Sequence, residues 1–276
     1  MAMQSKCVET AVALLRKGEA LAVSLNPEGY YLAFSGGKDS MAVYYLCKLA
    51  GVRFRPYYNI TANDPPANIY FIRKHFPDVV FVHPKKNFFR LVETKGLPMM
   101  YRRYCCERLK EHSGVGRVVL TGVRAEESRK RASYAQFDVY SRRKEHIARR
   151  GTYTIEEIQQ NEHQCIKGQD RIMLRPVLNW SVGEVLDFLT KMHAPFNPCY
   201  ETEGRVGCMF CPFASKEQIE RYEIKYPGFY RLLMRSLKIY WKRTDKHLLS
   251  SPAEYYDWWK SGLAYRDYVK KKSVNI

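Results

Sequence analysis

The sequence of 276 residues contains no run of eighteen or more apolar residues, which excludes an ordinary membrane-spanning helix. The segment 1–25 alternates apolar and polar residues at helical spacing. It has neither the compact apolar core nor the small-residue cleavage site of a secretion signal. Internal repeats and low-complexity tracts are also absent. These absences predict a cytoplasmic globular protein that does not associate with a membrane.

Acidic residues are few compared with basic ones. The chain has 28 Asp and Glu against 46 Lys and Arg, a formal net charge of +18. The basic runs lie at 102–110, 129–131, 142–144, 149–150, 242–246 and 270–272. Such a surface attracts polyanions, of which nucleic acid is the usual one, although it can also serve only solubility. The 21 tyrosines interleave with the basic runs, which suits stacking on bases as well as core packing.

The eight cysteines are expected to be reduced thiols, because no export signal is predicted. Cys208 and Cys211 form a C-x-x-C motif, Cys199 stands nine residues before it, and Cys105 and Cys106 are adjacent. Two thiolates at this spacing can reach one metal centre, with further sulfurs supplied from elsewhere in the fold. Spacing alone leaves zinc, a [4Fe–4S] cluster and an unligated redox pair open.

The hydrophobic pattern predicts strands that alternate with helices. Strands are expected at 30–34, 54–60, 78–84, 117–123 and 171–177, and helices at 4–24, 40–50 and 67–76. This order is typical of an α/β fold with a mainly parallel, twisted sheet and helices on both faces.

Two further segments differ in character from this α/β pattern. Residues 132–170 are strongly polar and are predicted to form an irregular insertion. From Glu217 onward the chain is predicted to be helical, basic and aromatic, with breaks at Pro227 and Pro252. We therefore divide the chain into an α/β domain at 1–195 and a region at 196–276 that holds the cysteine motif and the basic helices.

A short polar loop, SGGKDS at 35–40, follows the first predicted strand. Two glycines let the backbone turn tightly and bring N–H groups close to an anion. Hydroxyls, a lysine and the start of the next helix add donors and positive charge. The loop is neither G-x-x-x-x-G-K-[ST] nor G-x-G-x-x-G. A plain Gly-Gly turn with a serine N-cap would explain the glycines but not the whole hexapeptide. The loop therefore predicts a phosphate or pyrophosphate site, in which Asp39 either caps the helix or helps to hold Mg²⁺.

Four motifs together resemble the adenine nucleotide alpha-hydrolases, the PP-loop ATP pyrophosphatase superfamily, and within it the phosphoadenosine-phosphosulfate reductase-like branch. FSGGKDS resembles the PP-loop, and TGVRAEES at 121–128 resembles the G-x-R-x-x-E-S segment of that branch. RPVLNWSVGEVLDFL at 175–189 and NPCYETEGRVGCMFCP at 197–212 resemble its later segments, with Asn179 and Glu184 in place of the usual aspartates. Members of the superfamily cleave ATP between the α and β phosphates and release pyrophosphate.

The resemblance implies the residues of a nucleotide site. The expected phosphate cradle consists of Ser35, Gly36, Gly37, Lys38, Asp39 and Ser40. Gly122 and Arg124 are implied to line the nucleotide pocket, with Arg124 countering phosphate charge. The expected catalytic residues are Lys38, Asp39 and Arg124. Three further residues either position the substrate or cap and pair the following helix: Glu127, Ser128 and Arg131. ATP and Mg²⁺ are the expected cofactors.

The resemblance also favours an iron–sulfur cluster. Adenylylsulfate reductases of this branch bind a [4Fe–4S] cluster through a tandem Cys-Cys and a C-x-x-C, and enzymes of DNA phosphorothioation in this branch also carry a cluster. Five cysteines are candidates, of which four are expected to serve: Cys105, Cys106, Cys199, Cys208 and Cys211. The preferred set is Cys199, Cys208 and Cys211, completed by Cys105 or Cys106. Zinc is the alternative.

The function expected from the resemblance is ATP-dependent sulfur insertion into nucleic acid. Sulfonucleotide reductases of the branch use a cysteine near the C-terminus, and none follows Cys211 here, which disfavours that activity. The basic surface suits a polyanionic substrate. DNA phosphorothioation is the preferred reaction, with DNA or tRNA, a cysteine desulfurase as sulfur donor and other modification-complex subunits as partners. The alternatives are tRNA thiolation, another AMP-forming PP-loop reaction, sulfonucleotide reduction, and a non-enzymatic nucleic-acid-binding subunit with structural zinc.

Overall fold

The computed structural model describes residues 6–111, 113–140, 171–244 and 249–274. The strands are β1 Tyr30–Ala33, β2 Phe54–Asn59, β3 Val80–Val82, β4 Val118–Leu120, β5 Phe137–Tyr140 and β6 Arg171–Leu174. The first helices are α1 Lys6–Leu25, α2 Lys38–Ala50, α3 Pro66–His75, α4 Phe88–Lys95, α5 Tyr104–Leu109 and α6 Arg129–Ala132, with a 3₁₀ turn at Ala125–Glu127. They are followed by α7 Val182–Lys191, α8 Cys199–Thr202, α9 Lys216–Lys225, α10 Pro227–Lys242, α11 Pro252–Ser261 and α12 Tyr265–Val274.

The chain divides into two compact units, neither of which is one continuous segment. The first unit consists of Met1–Asn59, Ala67–Val82 and Ser113–Val206, and the second of Ile60–Pro66, His83–His112 and Gly207–Ile276. The division expected from the sequence instead gives two continuous segments, 1–195 and 196–276. The two divisions differ because apolar side chains of the earlier segments and of the C-terminal helices share one core in the second unit.

The first unit is built on a six-stranded sheet in the order β3-β2-β1-β4-β6-β5. Every adjacent pair is parallel except β5 with β6. The predicted α/β class with a mainly parallel sheet is confirmed. From β1 the chain first proceeds through β2 to β3, and it then returns to place β4 on the other side of β1. The loops that follow β1 and β4 therefore leave neighbouring strands at a topological switch point, where such sheets bind ligands.

The interior of this unit fixes where the β1 loop begins. Tyr30 in β1 is fully buried, and its hydroxyl donates to the carbonyl oxygen of Leu15 in α1 at 2.7 Å. Helix α2 packs against α1 and α7 and buries most of its surface, as expected for a segment that is apolar nearly all round. Gly51 ends α2 in the left-handed region at φ 69°, which only glycine adopts without strain.

The prediction of an irregular insertion at 132–170 is wrong for its first part, because Phe137–Tyr140 forms strand β5. Strand β5 pairs antiparallel with β6, with Phe137 buried opposite Leu174. The carboxylate of Asp138 accepts a hydrogen bond from Arg175 Nη1 at 2.8 Å. Asp138 makes this segment look polar in the sequence, and in the structure it forms an ion pair with Arg175. The rest of the predicted insertion, 141–170, lies outside the described residues.

The second unit is helical, which confirms the predicted helical C-terminal region. Its core is formed by α4 and α5 together with α9, α10 and α11, and includes Phe88, Val92, Leu233, Leu237, Tyr256 and Trp259. Pro227 and Pro252, predicted as breaks, stand in the first turns of α10 and α11, where the missing N–H costs no helical hydrogen bond. In the described part of the chain, no helix has the length and apolar character needed to cross a membrane.

Candidate nucleotide-binding loop and cysteine cluster

The SGGKDS loop connects β1 to the first turn of α2. Gly36 has φ 75°, and a Cβ atom there would come within 2.6 Å of Asn68 Oδ1, so glycine is needed for both conformation and space. Gly37 is the N-cap of α2, and as a glycine it has no side chain that could cap the helix. The serine N-cap considered for a plain turn is therefore absent. The N-terminus of α2 keeps the positive end of its dipole directed at the loop.

Two serine hydroxyls brace this loop internally. Ser40 Oγ donates to the carbonyl oxygen of Gly37 at 2.9 Å and accepts the Ser35 N–H at 3.1 Å. Ser35 Oγ lies 3.0 Å from Ser40 Oγ and accepts the Gly37 N–H at 3.3 Å. The two predicted cradle serines therefore hold the loop in shape in this structure.

Two buried asparagines bind the carbonyl groups of the loop. Asn68 Nδ2 donates to the Ser35 carbonyl oxygen at 3.1 Å, and Asn197 Nδ2 donates to the Gly36 carbonyl oxygen at 2.8 Å. Asn197 Nδ2 also donates to Asn68 Oδ1 at 2.7 Å. These bonds satisfy two carbonyl oxygens of the loop from within the protein and fix the orientation of its peptide groups. Sequence reasoning missed both asparagines, although Asn197 opens the N-P-C-Y motif.

Tyr200 contacts the loop directly. Its hydroxyl oxygen accepts the backbone N–H of Lys38 at 2.8 Å. Burial raises the pKa of Tyr200, so the phenol is neutral at pH 7. Tyr200 lies in the N-P-C-Y motif, 162 residues after Lys38, and sequence reasoning did not assign it a role.

Asp39 lies between two cations. Its Oδ2 is 2.8 Å from Lys38 Nζ, and its Oδ1 is 2.6 Å from Arg124 Nε. The structure therefore uses Asp39 in ion pairs and not as the helix cap, which was one of its two predicted roles. Asp39 therefore connects a lysine of the loop after β1 with an arginine of the loop after β4.

Arg124 is almost completely buried, with 3% of its side chain exposed. Its Nη1 contacts Glu126 Oε2 at 2.6 Å and the Trp180 carbonyl oxygen at 3.3 Å. Burial opposes the charged form, but Asp39 and Glu126 more than offset it, so the pKa of Arg124 is raised. In this structure the guanidinium holds Asp39, and its predicted direct contact with phosphate stays a prediction.

Gly122 lets β4 approach the first turn of α2. A Cβ atom at this position would lie 2.6 Å from the carbonyl carbon of Asp39 and 2.8 Å from the Ser40 nitrogen. These are backbone atoms that cannot rotate away, so any side chain would push the two loops apart. The glycine predicted to line the pocket is thus a close-approach residue.

The segment after Arg124 forms a helix cap. Glu127 accepts the Arg124 N–H at 3.0 Å and forms an ion pair with Arg131. Ser128 caps α6 by accepting the Arg131 N–H at 3.2 Å. Of the two roles left open for these residues, the contacts correspond to capping and pairing.

A cavity of about 320 Å³ opens on the Trp180 side of Arg124. It is lined by Ala125, Glu126, Leu178, Asn179, Trp180 and Ser181. The resembled motif has an aspartate at this position. Here the residue is Asn179, and it lines the cavity. The volume lies in the range of small-molecule pockets.

Four cysteines of the second unit are neighbours. Cys105 and Cys106 lie in α5, and the Cys105 thiol donates to the sulfur of Cys106. Electrostatic interactions also link Cys105 with Cys208 and Cys208 with Cys211. The C-x-x-C motif and the tandem pair therefore come close together within the second unit, although they are 102 or more residues apart in sequence.

Basic side chains surround this cysteine cluster, defined as Cys105, Cys106, Cys208 and Cys211. Lys110 Nζ lies 3.2 Å from Cys208 Sγ. The hydrogen bond from Cys105, together with Lys110 and Arg103, lowers the pKa of Cys106 to about 6. Burial raises the pKa of Cys208, and Lys110 acts against this shift. The basic side chains therefore favour the thiolate, the form that binds metal, at Cys106. The hydrogen bond to Cys106 and burial raise the pKa of Cys105, so its thiol form is favoured.

The donor chemistry of the cluster fits four-thiolate ligation of iron–sulfur or zinc. Within the described ranges, no group of three or more Cys, His, Asp or Glu side chains is already arranged around one metal position. Cys199 belongs to the first unit, where it is fully buried and its N–H donates to Asn197 Oδ1 at 3.0 Å. The second unit by itself thus contains four candidate thiols, which makes both members of the Cys-Cys pair candidates.

Similar proteins were found by sequence and by structure. An uncharacterized protein of Methanocaldococcus jannaschii is 25% identical over 246 residues, which cover 84% of this chain and 44% of that protein. This chain therefore spans less than half the length of that relative.

Three solved structures match parts of the chain at low sequence identity. The phosphoadenylyl-sulfate reductase of Candida auris matches with a TM-score of 0.43 and 15% identity over 75% of this chain and 97% of its own. The Candida glabrata FMN adenylyltransferase in complex with FAD and inorganic pyrophosphate matches with a TM-score of 0.47 and 13% identity over 75% of this chain and 67% of its own. The U34-tRNA thiolase of Methanococcus maripaludis, with its [4Fe–4S] cluster, matches with a TM-score of 0.42 and 13% identity over 89% of this chain and 85% of its own.

The model of the phosphoadenosine phosphosulfate reductase domain matches residues 29–214. The match begins immediately before β1 and ends after Cys211, so it contains the SGGKDS loop, the Arg124 segment and the C-x-x-C motif. It covers more than half of the chain, and the predicted resemblance to this branch is confirmed. This protein belongs to the phosphoadenosine phosphosulfate reductase domain family.

Proposed function

We propose that this protein is an ATP pyrophosphatase that adenylates nucleic acid for sulfur insertion, and that its preferred reaction is DNA phosphorothioation. The observation that carries the proposal is the anion-binding geometry at the switch point. The SGGKDS loop, the N-terminus of α2 and the Lys38–Asp39–Arg124 cluster lie together beside the close approach of Gly122. This arrangement suits the pyrophosphate of ATP.

The first chemical step is the transfer of AMP to the substrate. A non-bridging oxygen of a phosphodiester attacks the α-phosphorus of ATP, and the bond from that phosphorus to the α–β bridging oxygen breaks. Pyrophosphate leaves with the electron pair of that bond. Lys38, whose side chain is 22% exposed and whose ammonium is paired with Asp39, transfers its contact to the phosphates and stabilises the developing negative charge. Arg124 keeps Asp39 in place during this exchange.

Mg²⁺ is expected to arrive with ATP. Asp39 is the carboxylate of the loop, and its two oxygens are bound by Lys38 and Arg124 in this structure. It fits a magnesium ligand once the Lys38 ammonium has moved to the phosphates, because that movement releases Oδ2. The ion would neutralise charge on the phosphate oxygens.

The second step replaces AMP with sulfur. The terminal sulfur of a persulfide, supplied by a cysteine desulfurase, bonds to the activated backbone phosphorus, and AMP leaves. A thiol then reduces the sulfur–sulfur bond, forms a disulfide with the donor and leaves the phosphorothioate. The cysteine cluster is the proposed site of a [4Fe–4S] group, which when bound would supply sulfur-binding or electron-transfer chemistry.

Charge supports a nucleic-acid substrate in preference to a small one. The second unit carries 22 Lys and Arg against 11 Asp and Glu, so it accounts for +11 of the net charge of +18. A small nucleotide needs positive charge only within its pocket, whereas a nucleic acid contacts a broad basic face. DNA, or tRNA in the alternative reaction, is accordingly the proposed macromolecular partner.

The proposal is tested by mass spectrometry of nuclease digests of DNA and tRNA. The samples come from cells that express the protein and from cells that express only its Lys38→Ala variant. Sulfur in DNA backbone dinucleotides that disappears in the variant supports phosphorothioation. Sulfur on tRNA bases would instead establish tRNA thiolation. Identical digests from the two strains would contradict nucleic-acid thiolation altogether.

A further inference from the structure

An exposed tyrosine stands at the tip of a tight turn immediately before the cysteine cluster. The Arg102 N–H donates to the Met99 carbonyl oxygen at 3.0 Å, and this bond closes the turn around Met100 and Tyr101. Tyr101 is 87% exposed, whereas Tyr256 of the same unit is 1% exposed. Tyr101 therefore contributes little to the core, although the turn holds its backbone in a defined position.

A second exposed aromatic ring borders the same cluster. The guanidinium carbon of Arg103 lies 5.0 Å from the centroid of the Phe213 ring, and Phe213 is 52% exposed. Arg103 precedes Cys105 by two residues, and Phe213 follows Cys211 by two. Their contact therefore joins the outer flanks of the two cysteine motifs. We call the surface formed by Tyr101, Arg102, Arg103 and Phe213 the aromatic–basic face.

The chemistry of this face selects a ligand with planar rings and negative charge. Exposed tyrosine and phenylalanine rings stack on bases, and arginines contact phosphates or stack on the same bases. Arg102 and Arg103 are both exposed, and the surrounding unit has an excess of 11 positive charges. In a duplex the bases already stack on each other and are closed to such rings. A single strand offers both its bases and its phosphates.

We propose that the aromatic–basic face binds a single nucleic-acid strand next to the cysteine cluster. Bases of the strand stack on Tyr101 and Phe213, and its phosphates contact Arg102 and Arg103. This inference rests on the proposed function, because it says where the strand to be modified binds. It adds that the strand is unpaired at that point. Each stacked base contributes about 1–3 kcal/mol as measured by alanine substitution.

The face is tested with fluorescently labelled 20-nucleotide strands of one sequence in DNA and RNA form, and with the DNA duplex. Anisotropy titrations without ATP compare the full-length protein with Tyr101→Ala and Phe213→Ala. Each variant is expected to weaken single-strand binding roughly 5- to 150-fold, the range that corresponds to the stacking of one base. Tyr101→Phe keeps the ring and is expected to bind as the unchanged protein does. Ile224→Ala, at an 82% exposed apolar position of the same unit, is the matched control for lost exposed area.

The arginines are tested by the salt dependence of the same titrations. Arg102→Gln and Arg103→Gln are each expected to reduce the slope of log Kd against log salt by about 0.7, the value for one phosphate contact on a single strand. Thermal unfolding checks that every variant is folded, which is expected because all four positions are at the surface.

The outcomes distinguish failure of the aromatic–basic face from failure of the proposed function. Equal affinities of the two alanine variants and the Ile224→Ala control would overturn the aromatic–basic face while leaving the proposed function intact. A preference for the duplex that is insensitive to both alanine variants would also overturn it. Tighter binding of RNA than DNA would support the face and shift the substrate to RNA. A protein that binds pyrophosphate but no nucleic acid would contradict the nucleic-acid part of the proposed function and the face together.

Discussion

The hydroxyl oxygen of Tyr200 accepts the backbone N–H of Lys38 at 2.8 Å, at the first helical position of α2. An N–H group in this position is one of the donors that a bound phosphate uses. The phenol oxygen therefore occupies an acceptor position that an anion would otherwise take. Binding of pyrophosphate has to displace this oxygen.

Replacing Tyr200 with phenylalanine removes the competing acceptor. A hydrogen bond of this kind contributes about 0.5–1.5 kcal/mol net, so Tyr200→Phe is expected to bind pyrophosphate roughly 2- to 10-fold more tightly. Isothermal titration calorimetry with pyrophosphate and with ATP measures the change. Weaker binding would mean that the hydroxyl is a ligand of the phosphate and not its competitor.

Lys38 supplies the mobile positive charge of the loop. Lys38→Ala is expected to lower the rate of AMP formation about 10²- to 10³-fold, the usual effect of losing one donor that stabilises transition-state charge. Lys48→Ala is the matched control, because Lys48 is an exposed lysine at the other end of the same helix. Steady-state assays of AMP release compare the two. Equal activity of Lys38→Ala and Lys48→Ala would exclude the loop lysine from the chemistry.

Gly122 controls the separation of β4 from α2. Gly122→Ala is expected to reduce the free energy of unfolding by about 1–3 kcal/mol, since the new methyl group overlaps backbone atoms of Asp39 and Ser40. It is also expected to weaken ATP binding. Gly183→Ala is the control, because its added carbon meets only Ser181 Oγ at 3.8 Å and alanine favours the helix. Urea titration measures the free energy of unfolding of both variants. An unchanged value for Gly122→Ala would refute the close approach of Gly122 to the first turn of α2.

The cysteine cluster predicts which variants lose metal. After anaerobic reconstitution, the protein is expected to contain about four irons per chain, the content of one [4Fe–4S] cluster. Serine at any member of the cluster is expected to lower the iron content and the visible absorbance. Cys199→Ser and Cys7→Ser are expected to retain both, because the second unit contains four thiols of its own.

Two results would contradict that ligand set. Loss of iron in Cys199→Ser, with retention in Cys105→Ser or Cys106→Ser, would restore the set preferred from the sequence. One zinc per chain and no iron in any preparation would replace the iron–sulfur cluster with a zinc site.

The strands and the loop were predictable because their signals are local. The apolar run before Ser35 predicts β1, and the paired glycines predict a turn wherever the chain is placed in space. Strand β5 was missed because Asp138 makes its segment look polar, and its partner Arg175 lies 37 residues later. The pairing becomes visible only when β6 is in register with β5.

The second layer of the site was less accessible to sequence reasoning. Asn68 and Asn197 are 129 residues apart, yet both bind the carbonyl groups of one loop. Asn68 has no local pattern that distinguishes it from a surface asparagine. Arg124 was expected to face phosphate directly, and its carboxylate partner could not be assigned because ion pairs between loops depend on the strand order. The motif N-P-C-Y contained the missing signal for Asn197 and Tyr200.

The position at which ATP is cleaved distinguishes AMP-forming chemistry from ordinary hydrolysis to ADP. The protein is incubated with Mg²⁺, single-stranded DNA and ATP that carries a radioactive label at either the α or the γ phosphate, and the products are separated by thin-layer chromatography. We expect the α label to appear in AMP or in adenylated DNA and the γ label to appear in pyrophosphate, with both products strongly reduced in Lys38→Ala. Release of the γ label as orthophosphate with formation of ADP would contradict the AMP-forming chemistry.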